Sequence, residues 1–144
     1  SALSLIYLCR KYMGRPQYAA IRRVFTIHNI EYQGKYDFYI LGDVFGLGAA
    51  DRECVEYDGC INLMKGALTV SDYITTVSPN YAYELNHDFF AFGLAEVVGR
   101  VRGKMSGVIN GIDYNYFSPE HGGDIYAPYS LADVKEGKLK NKLA

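Results

Sequence analysis

Apolar positions along this chain alternate between two rhythms. From Ser1 to Met13, Leu3, Ile6, Tyr7 and Leu8 recur at helical spacing, Arg10 and Lys11 fill the last turn, and Gly14 with Pro16 stops the run, which predicts a helix. Val24-Phe25-Thr26-Ile27 is instead a continuous β-branched and aromatic run. It predicts a strand covered on both faces, as in a parallel sheet. Cys60 to Val70 returns to the helical period, with Ile61, Met64, Ala67 and Leu68 on one face and Lys65 opposite. Tyr73-Ile74-Thr75-Thr76-Val77 predicts a second strand, and Ser78-Pro79 the cap of a helix over Asn80 to Leu85. A further helix is expected from Gly93 or Leu94 to Arg102. Met105 to Ile109 follows as a third strand, closed by Asn110-Gly111, two residues that accept positive φ. The helix before that strand favours a βαβ unit over a hairpin. The alternation predicts an α/β fold: a Rossmann-like parallel sheet with flanking helices.

Two stretches follow neither rhythm. Gly34 to Gly59, with Gly42, Gly46 and Gly48 interrupting aromatic residues, predicts short helical turns and loop, and a connection this long is usually functional or mobile. Ser118 to Ser130, carrying Pro119, Gly122, Gly123 and Pro128, reads as a linker before a basic helix, Leu131 to Ala144, with Lys135, Lys138, Lys140 and Lys142 on a solvated face. The first helix opens without a cap and the last stops without one. Both ends therefore read as cut from a longer protein.

Composition narrows the function classes. With 144 residues and 49% hydrophobic content the chain suits one domain or part of one. A net charge of -1 without a basic stripe excludes nucleic acid and anionic membrane surfaces as partners. No apolar run approaches the roughly 20 residues of a bilayer helix. Cys9, Cys54 and Cys60 are odd in number and match no zinc or CxxC spacing, so they read as reduced, mostly buried thiols of a cytosol-like compartment, with no metal site and no cofactor. Fourteen Tyr and no Trp is unusual. Tyr suits stacking on sugars, although most Tyr simply sit half-buried with the hydroxyl at the surface.

The candidate chemistry lies where the first strand ends, in His28-Asn29 and then Tyr32-Gln33-Gly34. Ligands of open α/β sheets bind outside the carboxyl ends of the strands. His28 offers ring nitrogens and a backbone carbonyl there, either to a ligand or to its own following loop. Asn29 serves the same place or caps the turn. Ser78 reads as a helix cap, since no His or acid is patterned to activate it. Lys65 reads as a solvated helix residue, and His87 and His121 are not at metal spacing.

The series Thr26-Ile27-His28-Asn29, Tyr32-Gln33-Gly34, Ile61-Asn62-Leu63-Met64-Lys65-Gly66-Ala67-Leu68, Thr75-Thr76-Val77-Ser78-Pro79 and Ser106-Gly107-Val108-Ile109-Asn110-Gly111-Ile112-Asp113 resembles the glycogen/starch synthase family. Val-Ser-Pro and Asn-Gly-Ile-Asp recur in many two-domain glycosyltransferases. The Tyr-Gln-Gly loop and the Ile-Asn-x-Met-Lys helix are more specific. The resemblance covers Val24 to about Pro119 and thins over Lys35 to Tyr57. It implies a retaining GT-B enzyme that moves glucose from ADP-glucose, or UDP-glucose, to the non-reducing end of an α-1,4-glucan. The compartment implied is cytoplasmic, or a plastid in a plant or alga. Residues 1–118 would be the later part of the amino-terminal domain, and 119–144 the linker and first helix of the second. By the same resemblance His28 is catalytic, Asn29 and Asn110 bind the donor glucose, and Tyr32 and Gln33 face the acceptor. Asn110 could otherwise only make its turn, and Asp113 caps or positions the crossing into the linker. The family's Lys-Thr-Gly-Gly-Leu segment, its His-Asp-Trp-His segment and its second domain are not in these residues, so the chain alone is expected not to catalyse. Two alternatives stay open: a sucrose- or trehalose-type glycosyltransferase, and a non-catalytic module binding glucan or nucleotide sugar.

Overall fold

Parallel strands require a helix to carry the chain back to the same end of the sheet, and the alternation of rhythms supplies one before each later strand. The computed structural model describes residues 2–121 and 124–144. Ser1, the expected helix start, and Gly122 and Gly123 of the expected linker lie outside the described residues. The chain divides into two units, Ser1–Ile109 and Asn110–Ala144.

In the first unit, α1 (Ala2–Tyr7) runs on into a wider-wound segment, Leu8–Tyr12. There the Met13 N–H reaches back five residues to the Leu8 carbonyl at 2.9 Å, the bond of a π-turn. Then come β1 (Val24–Ile27), β2 (Lys35–Tyr36), α2 (Ile40–Asp43), α3 (Arg52–Val55), β3 (Glu56–Tyr57), β4 (Cys60–Asn62) and α4 (Leu63–Val70). The unit closes with β5 (Tyr73–Thr76), α5 (Pro79–Glu84), α6 (Asp88–Ala91), α7 (Ala95–Val101) and β6 (Met105–Gly107). Strands β1, β5 and β6 make one parallel sheet in the order β1-β5-β6, with Phe25 opposite Ile74 and Ile74 opposite Met105. The βαβ unit forms as the sequence predicts.

Helix α4 is the centre of the packing. Met64 and Leu68 join Ile27, Ile30, Ile74, Leu85 and the α7 valines under the parallel sheet. On its other side α4 meets a second core built from Ile6, Leu41, Phe45, Val55 and Ile61. Gly66 permits that approach: a Cβ there would stand 2.8 Å from Ile6 Cδ1. A glycine is just as necessary at 107, where a Cβ would lie 2.0 Å from the Ser78 carbonyl carbon. Strand β6 thus presses its backbone against the Ser78-Pro79 turn.

Four expectations are corrected. Strand β1 is covered on one face only: Ile27 is buried, whereas Val24 is 54% exposed and Thr26 bonds Thr75 across the open face at 2.8 Å. Its apolar run reflects β propensity as much as burial. The stretch 34–59 holds the expected short helical turns, α2 and α3, but it also contributes two strands of an antiparallel sheet, β2-β4-β3. Its hairpin turns on Asp58-Gly59, with φ of 52° and 72°, the Asp-Gly pair that a two-residue turn favours. The helix expected from Cys60 starts at Leu63, because Asn62 ends β4 and caps α4 by accepting the Lys65 N–H at 3.0 Å. The third strand ends at Gly107, not Ile109, and neither Asn110 nor Gly111 has positive φ among the described residues, so the expected tight turn does not form. The three cysteines are free and half-buried.

Among the described residues the second unit holds one α-helix, α8 (Val134–Leu143). Asn141 exchanges hydrogen bonds with the Ala127 backbone at 3.0 and 2.7 Å. Gly137 gives room to Tyr129, whose Cβ lies 2.2 Å from where a glycine side chain would begin.

Candidate functional site

The carboxyl edge of the parallel sheet is built around two buried isoleucines. Ile27 ends β1 and Ile30 follows three residues later, both fully buried, so the exposed His28 and Asn29 between them are held in a short bridge over the core. Side chains fix that bridge. Asn29 Oδ1 accepts the Glu31 N–H at 2.9 Å, an Asx turn, and the Ile30 N–H donates to the Tyr81 hydroxyl of α5 at 3.1 Å. Asn29 therefore does make the turn, and its side-chain oxygen is the atom that does so. The His28 imidazole has no hydrogen bond drawn to it among the described residues, so its own loop does not hold the ring.

Beyond the bridge, the Tyr-Gln-Gly loop closes over the start of α4. The Gln33 and Gly34 carbonyls accept the Met64 and Leu63 N–H groups at 2.9 and 3.1 Å, which satisfies the first amides of the helix. Gly34 has φ 67°, a conformation other residues adopt only with strain. Tyr32 stands 77% exposed above this loop. Gln33 points inward and is 4% exposed. Its Nε2 donates to the Phe92 carbonyl at 2.9 Å and its Oε1 accepts from Asn62 Nδ2 at 2.7 Å. The structure thus brings His28, Asn29, Tyr32 and Gln33 onto one edge, Gln33 as its buried underside. Asn110 is exposed and opens the second unit, on the segment leaving β6.

At the end of β5, Ser78 Oγ accepts the Tyr81 N–H at 2.9 Å, and Thr76 Oγ1 donates to the Ser78 carbonyl at 3.0 Å. Ser78 is a cap, as its position before Pro79 predicts. Sequence reading missed Tyr81, Asn62 and Phe92. Asn62 was legible as an N-cap before an apolar helical run; Tyr81 and Phe92 carry no local signal.

At the opposite edge of the sheet Asp72 and Lys104 are bonded into the fold. Asp72 accepts from Arg23 Nη2 at 2.8 Å, from Arg23 Nε at 3.1 Å and from the Arg23 N–H at 2.7 Å, and these bonds hold its carboxyl far below the usual carboxylate range. Lys104 donates to the Ser71 and Thr69 carbonyls at the end of α4, and burial lowers its pKa. A cavity of about 380 Å³ also lies toward this end, lined by Cys9, Arg10, Glu53, Cys54, Lys65 and Arg100. Its cations are already engaged: Lys65 Nζ on the Glu53 and Cys54 carbonyls at 2.5 and 3.1 Å, Arg10 on Asp51 at 2.7 Å, Arg100 on Glu96. Lys65 is therefore not the solvated residue expected from sequence but a clasp on α3. No three His, Cys, Asp or Glu residues converge as a metal site among the described residues.

A parallel α/β sheet flanked by helices, with exposed polar groups at its carboxyl edge, puts the candidate site where open sheets of this class receive ligands. The family model described as the starch synthase catalytic domain matches residues 1–100. The glycogen synthase of Streptococcus agalactiae serotype Ia is 44% identical over 147 residues, covering 100% of this chain and 30% of that protein. That of Alkaliphilus metalliredigens is 39% identical over 145 residues, covering 99% of this chain and 30% of that protein. Among solved structures, the catalytic domain of Starch Synthase IV from Arabidopsis thaliana bound to ADP and acarbose matches with a TM-score of 0.78 and 30% identity, over 99% of this chain and 29% of that one. This chain belongs to the glycogen/starch synthase family. It spans about 30% of the length of the curated relatives it matches.

Proposed function

We propose that this chain supplies the donor-facing and acceptor-facing edge of a retaining glucosyltransferase, which moves glucose from ADP-glucose (UDP-glucose being the other donor of the class) to the non-reducing end of an α-1,4-glucan. The observation that carries the proposal is the exposed His28-Asn29 bridge at the carboxyl end of β1, within the span matched by the starch synthase family model. In the transfer, the C1–O bond to the diphosphate breaks, the acceptor 4-oxygen bonds C1 on the same sugar face, and the acceptor hydroxyl's proton passes to the departing diphosphate. Charge develops at the ring oxygen and C1 and at the leaving diphosphate, so polar groups fixed before reaction are worth most. His28, its ring not held by its own loop, turns to the reacting face of the donor glucose. Asn29 can offer its amide N–H while its oxygen stays in the turn, and by family resemblance Asn110 contributes its amide to the donor hydroxyls. Tyr32 lies on the acceptor side, with Gln33 beneath it.

Residues 1–118 are read as the later part of the amino-terminal domain and 119–144 as the linker and first helix of a second domain, which would hold the rest of the donor. A cytoplasmic setting fits the three free thiols, and no described helix is long and apolar enough to cross a membrane.

The test is His28→Ala in the complete gene product, assayed with ADP-glucose and a glucan primer. Turnover is expected to fall by about 10²- to 10³-fold. Because the ring is exposed, stability should shift by less than about 0.5 kcal/mol. Unchanged turnover removes His28 from the site.

A further inference from the structure

Phe92 is the one described residue with a bulky ring and a left-handed backbone, at φ 49°. Gly93 follows at φ 85°. A glycine or asparagine at 92 would remove the strain, and the ring does not offset it by burial, since 52% of Phe92 is exposed. The turn is nevertheless fixed from both sides. Gln33 Nε2 donates to the Phe92 carbonyl at 2.9 Å, and the Tyr57 hydroxyl donates to the Gly93 carbonyl at 2.8 Å. Gln33 is in turn held by Asn62, which is fully buried. A buried polar chain thus runs from the cap of α4 through Gln33 to a strained peptide that displays an aromatic ring to solvent. Two neighbours in sequence add to the display: Phe89 at 85% exposure and Phe90 at 40%, their rings edge to face with centroids 5.1 Å apart. Tyr32 is adjacent in sequence to Gln33, so its backbone lies within one glutamine side chain of the Phe92 carbonyl.

We infer that the Phe92 turn is an acceptor-binding platform: the Phe92 ring, with Phe89, stacks on the apolar faces of α-1,4-linked glucose units that run on past Tyr32. Gln33 and Asn62 are its positioning residues. The occupant is chosen by continuity, because the turn is bonded to the loop that carries Tyr32, and aromatic rings are suited to the C–H faces of sugars. This inference rests on the acceptor side proposed above. It gives Gln33 the task of holding the platform rather than touching the glucan.

The test uses Phe92→Gly in the complete gene product, with maltoheptaose as the probe, measured both by binding calorimetry and as the acceptor in transfer. Glycine relieves the backbone strain, so a residue with only a structural role predicts an equal or higher melting temperature and unchanged binding. The platform predicts an equal or higher melting temperature together with a rise of about tenfold in the maltoheptaose Kd and acceptor KM, the donor KM staying unchanged. Gln33→Leu should raise the same two constants, and Gln33→Glu, which keeps an acceptor for Asn62 but cannot donate to Phe92 when ionised, should not restore them. Unchanged maltoheptaose binding in Phe92→Gly overturns the inference. So does concentration-dependent self-association of the parent protein that Phe92→Gly abolishes while glucan affinity is retained, since the patch would then serve a second copy. The binding arm reads the platform even where transfer itself is absent, which would overturn only the donor reading.

Discussion

The two ends of the parallel sheet are built from the same strands and answer opposite demands. At the amino end Asp72 and Lys104 are consumed by the fold: Asp72 takes three bonds from Arg23, and Lys104 closes the last carbonyls of α4. At the carboxyl end the bonds go to the backbone beneath, through Tyr81, Asn62 and Gln33, while His28 and Tyr32 stand exposed. One end spends its polar groups on the fold, and the other holds them ready in fixed positions. Displaced proton affinities therefore mark structure here: Asp72 and Lys104 are shifted by their partners and by burial at the end away from the proposed chemistry.

The contrast can be broken from either end. The largest effect is expected from Gly107→Ala, which drives a methyl into the Ser78-Pro79 backbone beside the carboxyl edge. It should cost about 3 kcal/mol, read from the urea midpoint, and lower activity only as far as folded protein is lost. Gln33→Leu comes next. It strands the Asn62 amide and the Phe92 carbonyl and should cost about 2 kcal/mol. Asp72→Asn, at the amino end, should cost about 1.5 kcal/mol near neutral pH and leave the KM values for donor and glucan unchanged. Its pH dependence has a definite sign. The folded-state carboxyl titrates below its unfolded value, so its contribution is complete above the unfolded pKa of about 3.9 and is lost as pH falls toward the folded one. Acid melting should show a steeper loss below about pH 4 in the parent than in Asp72→Asn. Equal slopes would mean that Arg23 and Asp72 are not paired in solution.

The strands and the Ser78 cap were legible because β-branched runs and Ser-Pro carry their own local physics. The cover of β1 was not. Burial on a second face depends on what packs there, and Val24 and Thr26 look apolar enough for either outcome. The small antiparallel sheet was missed, although Asp58-Gly59 is a pair that specifies a hairpin even between strands of two residues. The start of α4 hung on Asn62, whose capping role outweighed the apolar run that precedes it. At the site, His28 and Asn29 could be placed from the abrupt end of a strand, since the chain must turn there. Tyr81, reaching the Ile30 N–H from 51 residues away, could not. Nor could Phe92, whose left-handed backbone ends α6 and whose turn is bonded by Gln33 at the Phe92 carbonyl and by Tyr57 at the Gly93 carbonyl.

The central claim is that the carboxyl edge receives the donor sugar at His28. The most direct test is the rate at which diethylpyrocarbonate modifies His28 in the complete gene product, measured with and without ADP-glucose and with His87 as an internal reference. Slower modification of His28 alone on adding the donor is the predicted result. Equal rates at His28 in both conditions, at donor concentrations that saturate binding, would contradict it.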